Sequence, residues 1–269
     1  MKFLSPAKIN LMLKVLGQRD DGYHLLQTYF QLLDWGDYIE YSLTEFDEIQ
    51  INGEFGTLKQ EDNLIYKAIK LLEPYRKVFQ GVKINVQKNI PQGSGLGGGS
   101  SNAGTTLRIL NKKWKCQLTQ EELQNMAVTL GADVPIFILN KSAMATGIGE
   151  ELTPYPINNY YYVLIFPNTG IVTANVFASK TLNRNQTPIE LSDINDKSQW
   201  KNACLPVVLD IYPEVKDIYN IASNFAPIYM SGTGSTLFSS FKSETQALQF
   251  IEQCPHHWKT VLCKSKINQ

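Results

Sequence analysis

A fold of mixed strands and helices is predicted for this chain on three observations. Residues 7–15 alternate apolar and polar, the period of a strand; residues 82–110 read as strand, glycine-rich turn and helix; and from residue 160 onward short apolar runs interleave with helical spacings. At 269 residues the chain is long enough for two domains or one large one, and at 43% hydrophobic and 19% charged it can bury a sizeable core. Its 25 Lys and Arg balance its 25 Asp and Glu, so no global field draws in nucleic acid or an anionic membrane, and any anion is captured locally. Cys116, Cys204, Cys254 and Cys263 lack C-x-x-C spacing and read as reduced structural thiols. No basic segment followed by an apolar run opens the chain, and no run approaches the ~18 apolar residues of a membrane span, so a cytoplasmic location is expected.

In chain order, Ala7, Ile9, Leu11, Leu13 and Val15 fall on one face of the first strand and Lys8, Asn10, Met12 and Lys14 on the other, which predicts a half-buried strand. Asp20-Asp21-Gly22 is a turn signal; residues 23–33 resume as a strand, and 39–43 and 48–51 read as further strands of the same sheet. Leu64, Ile65, Ala68, Leu71 and Leu72 have helical spacing, with Asp62 or Asn63 as the cap. Thr119-Gln120-Glu121-Glu122 has the capping-box pattern and opens a helix to about Leu130, closed by Gly131. Strands are then expected over 143–146 and 160–167, a short helix over 173–179, a helix over 207–222, strands over 227–231 and 236–240, a helix over 244–253 and a last strand over 259–263. Residues 181–200 are polar and expected to be the least ordered part. A boundary near Tyr155-Pro156, between two prolines, divides the chain into expected domains 1–155 and 156–269.

The stretch Pro91-Gln92-Gly93-Ser94-Gly95-Leu96-Gly97-Gly98-Gly99-Ser100-Ser101-Asn102-Ala103 follows a strand over 82–87 and precedes a helix over 103–110. Its glycines permit positive φ and close approach to a ligand, and the unpaired N–H groups of the following helix point into the same turn. The guest such a turn suits is a phosphate, although glycine-rich turns also serve as linkers or plain corners. A Walker A loop is excluded because no Lys follows the glycines. A dinucleotide fingerprint at Gly93, Gly95 and Gly98 lacks the acidic strand end some twenty residues on, and no H-R-D or D-F-G triplet supports a protein kinase.

Lys8-Ile9-Asn10-Leu11, Asp21-Gly22-Tyr23-His24, the loop 91–103, Gly131-Ala132-Asp133-Val134-Pro135 and Ser231-Gly232-Thr233-Gly234-Ser235 stand in the order and spacing of the GHMP kinases, which the chain resembles over most of its length. Ser94, where the family usually has Gly or Ala, and Thr233, where it usually has Ser, are small departures. The resemblance implies an α+β, two-domain GHMP kinase fold, with an N-terminal half like ribosomal protein S5 domain 2, a ferredoxin-like C-terminal half, and ATP in the cleft between them. Pro91, Gln92, Gly93, Ser94, Gly95, Leu96, Gly97, Gly98, Gly99, Ser100 and Ser101 would wrap the triphosphate, with Asn63 and Lys88 near the base. Mg²⁺ would bridge phosphate oxygens with Ser100 nearby, no side chain being assigned as a metal ligand. Within the family the match points to the kinase whose acceptor is a cytidine diphosphate derivative of methylerythritol, phosphorylated on its tertiary 2-hydroxyl in non-mevalonate isoprenoid synthesis. That small molecule is the implied partner, with no nucleic acid or membrane, the chain acting as a monomer or weak homodimer.

By the same resemblance Asp133 would deprotonate the hydroxyl and Lys8 would offset charge, Asn10 sharing its face. Read without it, Asp133 before Val-Pro is a good helix N-cap and Lys8 a solvated strand lysine. Tyr23 and Phe177 would stack the cytosine, His24 would hydrogen-bond its edge, and Thr173 would lie on the substrate side. The competing reading of Tyr23 and His24 is a turn-flanking aromatic and a surface imidazole. A different small-alcohol kinase of the family, or an idle member sensing a phosphorylated ligand, are the alternatives; Asp21-Gly22-Tyr23-His24 argues against the first and joint retention of Lys8 and Asp133 against the second.

Overall fold

The computed structural model describes residues 1–266, which form two compact units, each discontinuous in sequence. The first comprises residues 1–7, 35–91 and 97–141; the second comprises 8–34, 92–96 and the chain from 142 onward. Two long strands, β1 (Lys2–Gln18) and β2 (His24–Leu43), contribute residues to each.

In the first unit β4 (Val82–Gln87) lies between β2 and β3 (Ile49–Gly53), antiparallel to β2 with Tyr38 opposite Gln87 and parallel to β3 with Ile49 opposite Val82. Val82, Ile84 and Val86 are buried while Lys83, Asn85 and Gln87 are exposed, so one face of this sheet is covered and the other meets water. The cover is helical: α1 (Leu64–Leu72), α2 (Gly98–Lys113), α3 (Gln120–Val128) and α4 (Val134–Leu139) supply Ile65, Ile69, Leu107, Leu110, Leu123 and Ile138 to one apolar core with Ile84 and Trp114. Asn63 caps α1 by accepting from the Ile65 N–H at 2.9 Å, and Thr119 and Glu122 form the capping box on α3 in both directions.

In the second unit β5 (Ala143–Thr146) pairs antiparallel with β2 and with β6 (Glu151–Pro154). A separate antiparallel sheet has the order β10 (Lys259–Lys264), β7 (Tyr161–Phe166), β9 (Leu237–Phe241), β8 (Tyr229–Met230). Its apolar side meets α5 (Thr173–Ala178), α6 (Leu205–Ile211), α7 (Pro213–Ala222) and α8 (Glu244–Gln253) in a core that includes Val163, Ile165, Val176, Val207, Ile218, Leu237 and Phe250. Helices collected on one face of an antiparallel four-stranded sheet give the α+β class expected of this half.

Several elements differ from expectation for identifiable reasons. β1 is longer than 7–15, and every residue from Ser5 to Leu13 is buried, so neither face is solvated there. The strands expected over 23–33 and 39–43 are one, because Asp34 and Asp37 act inside the strand instead of breaking it: Asp34 accepts from the Lys264 N–H and Asp37 from the Asn89 and Ile90 N–H groups. Gly36 between them is required by proximity, since an added Cβ would lie 2.1 Å from the Ser5 carbonyl oxygen. The helix expected from Ala103 begins at Gly98, the single helix over 207–222 is two broken at Tyr212-Pro213, and β6 was not anticipated. Residues 181–200 are pinned, not loose: Gln27 and Ile189 exchange two hydrogen bonds, Gln186 and Val15 exchange two more, and Leu182, Ile194 and Trp200 are buried.

Candidate active site

The glycine loop takes its shape from backbone conformations that other residues resist. Gly93, Gly95 and Gly97 have φ of +64°, +75° and +70°, and α2 starts directly after Gly97 with no side chain capping it. The first N–H groups of α2 are thus unclaimed by a cap and no acidic side chain occupies its first turn, which suits an anion there. Two glycines also serve packing. A Cβ on Gly95 would sit 2.3 Å from the Ser231 carbonyl oxygen, and one on Gly98 would sit 2.9 Å from the Ile90 side chain. Ser101 is buried with its hydroxyl bonded to the Pro6 carbonyl and Ser5, whereas Ser100 is only half-buried, so Ser100 is the more open of the two hydroxyls. Leu96 is a core residue whose carbonyl accepts from the Lys8 N–H, and Ser94 is buried with its carbonyl accepting from the Thr236 N–H. Gln92 and Gly99 are exposed and Pro91 half-buried.

Near the start of α2, Asp37 is fully buried and gathers four donors: the Asn89 and Ile90 N–H groups, Asn102 Nδ2 and Lys88 Nζ. Lys88 also donates to Asn102 Oδ1 at 3.1 Å, so its position is set by a buried ion pair, with the ammonium's remaining donor capacity available to a ligand. Asn63 spends Oδ1 on the α1 cap, leaving its amide nitrogen. No sequence signal identified Asp37, because a lone Asp after Gly36 reads as a turn.

Lys8 is not the solvated lysine that strand alternation allows. It is 3% exposed, its Nζ donates to Asn10 Oδ1 at 2.7 Å and it lies 5.2 Å from the Phe30 ring centroid. Asn10 is committed to orientation: Nδ2 donates to Thr28 Oγ1 at 2.8 Å and its backbone N–H to Ser231 Oγ at 3.2 Å. Ser231 Oγ donates in turn to the Gly95 carbonyl at 2.8 Å. A Cβ on Gly232 would come within 3.3 Å of Asn10 Oδ1 and 3.6 Å of Lys8 Nζ, so the 231–235 turn lies directly against the lysine head. Asn202 Nδ2 holds that turn by donating to the Met230 and Gly232 carbonyls, a role no sequence pattern disclosed. A buried ammonium kept among polar oxygens can offset developing negative charge.

Asp133 stands at the N-cap position of α4, as the Val-Pro that follows predicts, but its side chain makes no capping hydrogen bond. Capping therefore does not account for the residue. Gly131 before it adopts φ of +152°.

Tyr23 is 60% exposed beside the Asp20-Asp21-Gly22 turn, an unusual place for a large ring unless something covers it. His24 stacks on Phe177 with ring centroids 4.9 Å apart and an interplanar angle of 28°, so the imidazole itself occupies one face of the ring expected to hold a base. Arg184, from the stretch expected to be least ordered, donates through Nε to His24 Nε2 at 3.1 Å. Burial first, and the Arg184 charge second, lower the His24 pKa below its ordinary value of 6.5. Thr173 and Thr233 share a hydroxyl hydrogen bond of 2.9 Å, which ties the start of α5 to the 231–235 turn.

A left-handed glycine loop opening a helix, a buried lysine held by an asparagine, and a carboxylate at a helix start are each of a kind that phosphoryl transfer can use. Family models agree: "GHMP kinases N terminal domain" matches residues 63–141 and "GHMP kinases C terminal" matches residues 180–260. The chain belongs to the GHMP kinases. Its full-length relatives narrow that class. The 4-diphosphocytidyl-2-C-methyl-D-erythritol kinase of Pseudoalteromonas translucida (strain TAC 125) is 41% identical over 97% of this chain and 92% of its own. That of Marinomonas sp. (strain MWYL1) is 42% identical over 98% and 87%. A crystal structure of 4-(cytidine 5'-diphospho)-2C-methyl-D-erythritol kinase superposes with a TM-score of 0.85 at 28% identity, covering 98% of each chain. No helix among the described residues is long and apolar enough to cross a membrane.

Proposed function

We propose that this chain is an ATP-dependent small-molecule kinase that phosphorylates the 2-hydroxyl of 4-diphosphocytidyl-2-C-methyl-D-erythritol, a step of non-mevalonate isoprenoid precursor synthesis. The observation that carries the reading is kinship with kinases of that name over nearly the whole chain. The loop of residues 91–101 would cradle the triphosphate on the N–H groups of α2, with Asn63 and Lys88 toward the nucleotide base. Lys8, oriented by Asn10, would offset charge on the transferring group. Asp133 would accept the hydroxyl proton as that oxygen bonds to the γ-phosphorus and the bond to the ADP oxygen breaks. Mg²⁺ would supply charge neutralisation for the transferring phosphate, and the half-buried Ser100 hydroxyl would be the loop group to help hold it. Among the described residues no group of three or more His, Cys, Asp or Glu could hold a metal ion. Tyr23, His24, Phe177 and Thr173 would bind the cytidyl acceptor.

A cytoplasmic location, action as a monomer or weak homodimer, and division into domains 1–155 and 156–269 belong to the same reading; the two family matches, ending at 141 and resuming at 180, support the division. The test is incubation with ATP, Mg²⁺ and the cytidyl acceptor. The reading expects one ADP per acceptor consumed and a new phosphomonoester by ³¹P NMR; ATP hydrolysis without a phosphorylated acceptor would contradict it.

A further inference from the structure

Arg184 is held by more bonds than a surface arginine needs. Nη2 donates to the Phe177 carbonyl at 2.6 Å and the Ser179 carbonyl at 2.9 Å, Nη1 to the Leu182 carbonyl at 3.2 Å, and Nε to His24 Nε2 at 3.1 Å. A guanidinium has donors only and does not give up its proton in proteins. His24 Nε2 must therefore offer its lone pair, and the ring proton of the neutral imidazole resides on Nδ1. Nδ1 has no hydrogen-bond partner among the described residues, and stacking on Phe177 at 4.9 Å fixes the ring plane from which it points.

We infer that Arg184 sets the preference for cytosine over uracil by locking His24 in the tautomer that donates from Nδ1, an inference that rests on the cytidyl-acceptor reading above. The two pyrimidines differ at position 3, where cytosine carries an acceptor nitrogen and uracil an N–H donor. A fixed donor at the base edge pairs with cytosine and meets uracil donor to donor, leaving two polar groups unsatisfied. An imidazole free to exchange tautomers serves either base and discriminates between neither. Arg184 acts through His24 and is a positioning residue, so its three carbonyl bonds must be separated from its effect on the ring.

Two readouts do so. Imidazole ¹⁵N shifts of the ligand-free wild-type protein should show His24 protonated on Nδ1. In Arg184→Met the ring should move toward the Nε2-protonated form, and the ratio of kcat/KM for the cytidyl acceptor over its uridyl analogue should narrow by about tenfold or more, with the KM for ATP unchanged. Should the methionine variant fail to fold, Arg184→Leu carries the same test, since it likewise leaves no donor for His24 Nε2. A wild-type His24 protonated on Nε2, or a folded variant that retains both tautomer and ratio, would overturn the inference while leaving the kinase reading intact. A wild-type enzyme with no cytidyl preference would overturn the acceptor reading and the inference together.

Discussion

Gly93 and Gly95 offer a matched pair in which backbone conformation is nearly constant and surroundings are not. Their φ angles are +64° and +75°, so alanine at either position bears a left-handed strain of about 1–2 kcal/mol, partly offset by about 0.4–1 kcal/mol from a less flexible unfolded chain. At Gly93 the nearest atom to an added Cβ is 4.0 Å away, and the net loss should be about 1 kcal/mol. At Gly95 the same carbon would lie 2.3 Å from the Ser231 carbonyl oxygen and 2.8 Å from that of Gly234, backbone atoms that cannot rotate aside. Overlap of that kind adds about 1–3 kcal/mol, and relief requires moving the turn whose Ser231 hydroxyl holds the Gly95 carbonyl and receives the Asn10 N–H. At about 2–4 °C per kcal/mol for a chain of this size, Gly93→Ala should lower Tm by roughly 3 °C and Gly95→Ala by several degrees more. Gly95→Ala should also lose most turnover, because the Lys8 and Asn10 arrangement shifts with the turn. Thermal melts followed by circular dichroism, with steady-state kinetics on both variants, measure this. Equal melting and equal turnover would refute the claim that Gly95 is required by contact with the 231–235 turn.

Asp133→Asn should reduce kcat by about 10²- to 10⁴-fold, with affinity for a non-hydrolysable ATP analogue unchanged by calorimetry; near-normal turnover would remove it as the base. Asn10→Ala deletes the acceptor that holds Lys8 Nζ, and a hydrogen bond to a charged group is worth about 1.5–3 kcal/mol, so kcat should fall about 10- to 150-fold with a smaller change in acceptor KM. The His24 pKa is depressed below 6.5, so at pH 7–8 the ring is neutral in folded and unfolded chains alike and its contribution is fully present. As pH falls below 6.5 the unfolded ring takes the proton first and the folded state loses stability until pH passes through the depressed folded value. Protonation also sets a second cation against Arg184, so the acceptor KM should rise on the acid side and stay flat above 6.5; a rise only on the alkaline side would contradict this.

The parts of the fold legible in the sequence are those where a local rule acts alone. Alternation places Val82, Ile84 and Val86 inward, Asn63 and the Thr119–Glu122 box mark helix starts, and α8 runs over the residues its spacing indicates. The less legible parts depend on what covers a surface. Alternation assigns Lys8 and Asn10 to one face of β1 but does not say that this face is buried, and burial is what turns a solvated lysine into a candidate charge-stabilising group. Residues 181–200 lack any period because single side chains such as Gln186 and Arg184 anchor them, and bonds from isolated residues leave no pattern. The sequence marks the glycine loop as a candidate phosphate cradle, but it does not disclose that Gly95 and Gly98 are also required by close contact with Ser231 and Ile90. Proline at 213 was a readable break that the apolar spacing around it obscured.

The function turns on which alcohol receives the phosphoryl group, and the most direct measurement is kcat/KM for ADP release with 4-diphosphocytidyl-2-C-methyl-D-erythritol set beside mevalonate and homoserine under the same conditions. On the proposed reading, stacking on Tyr23 and a hydrogen bond from the edge of His24 would be open only to an acceptor that carries a base, and about 1–3 kcal/mol per stacked ring alone corresponds to roughly 5- to 150-fold. Turnover with the cytidyl acceptor should exceed that with either simple alcohol by at least that factor, and should fall to their level in a Tyr23→Ala, His24→Ala double variant. Equal or greater turnover with mevalonate or homoserine, or a cytidyl preference that survives the double variant, would contradict it.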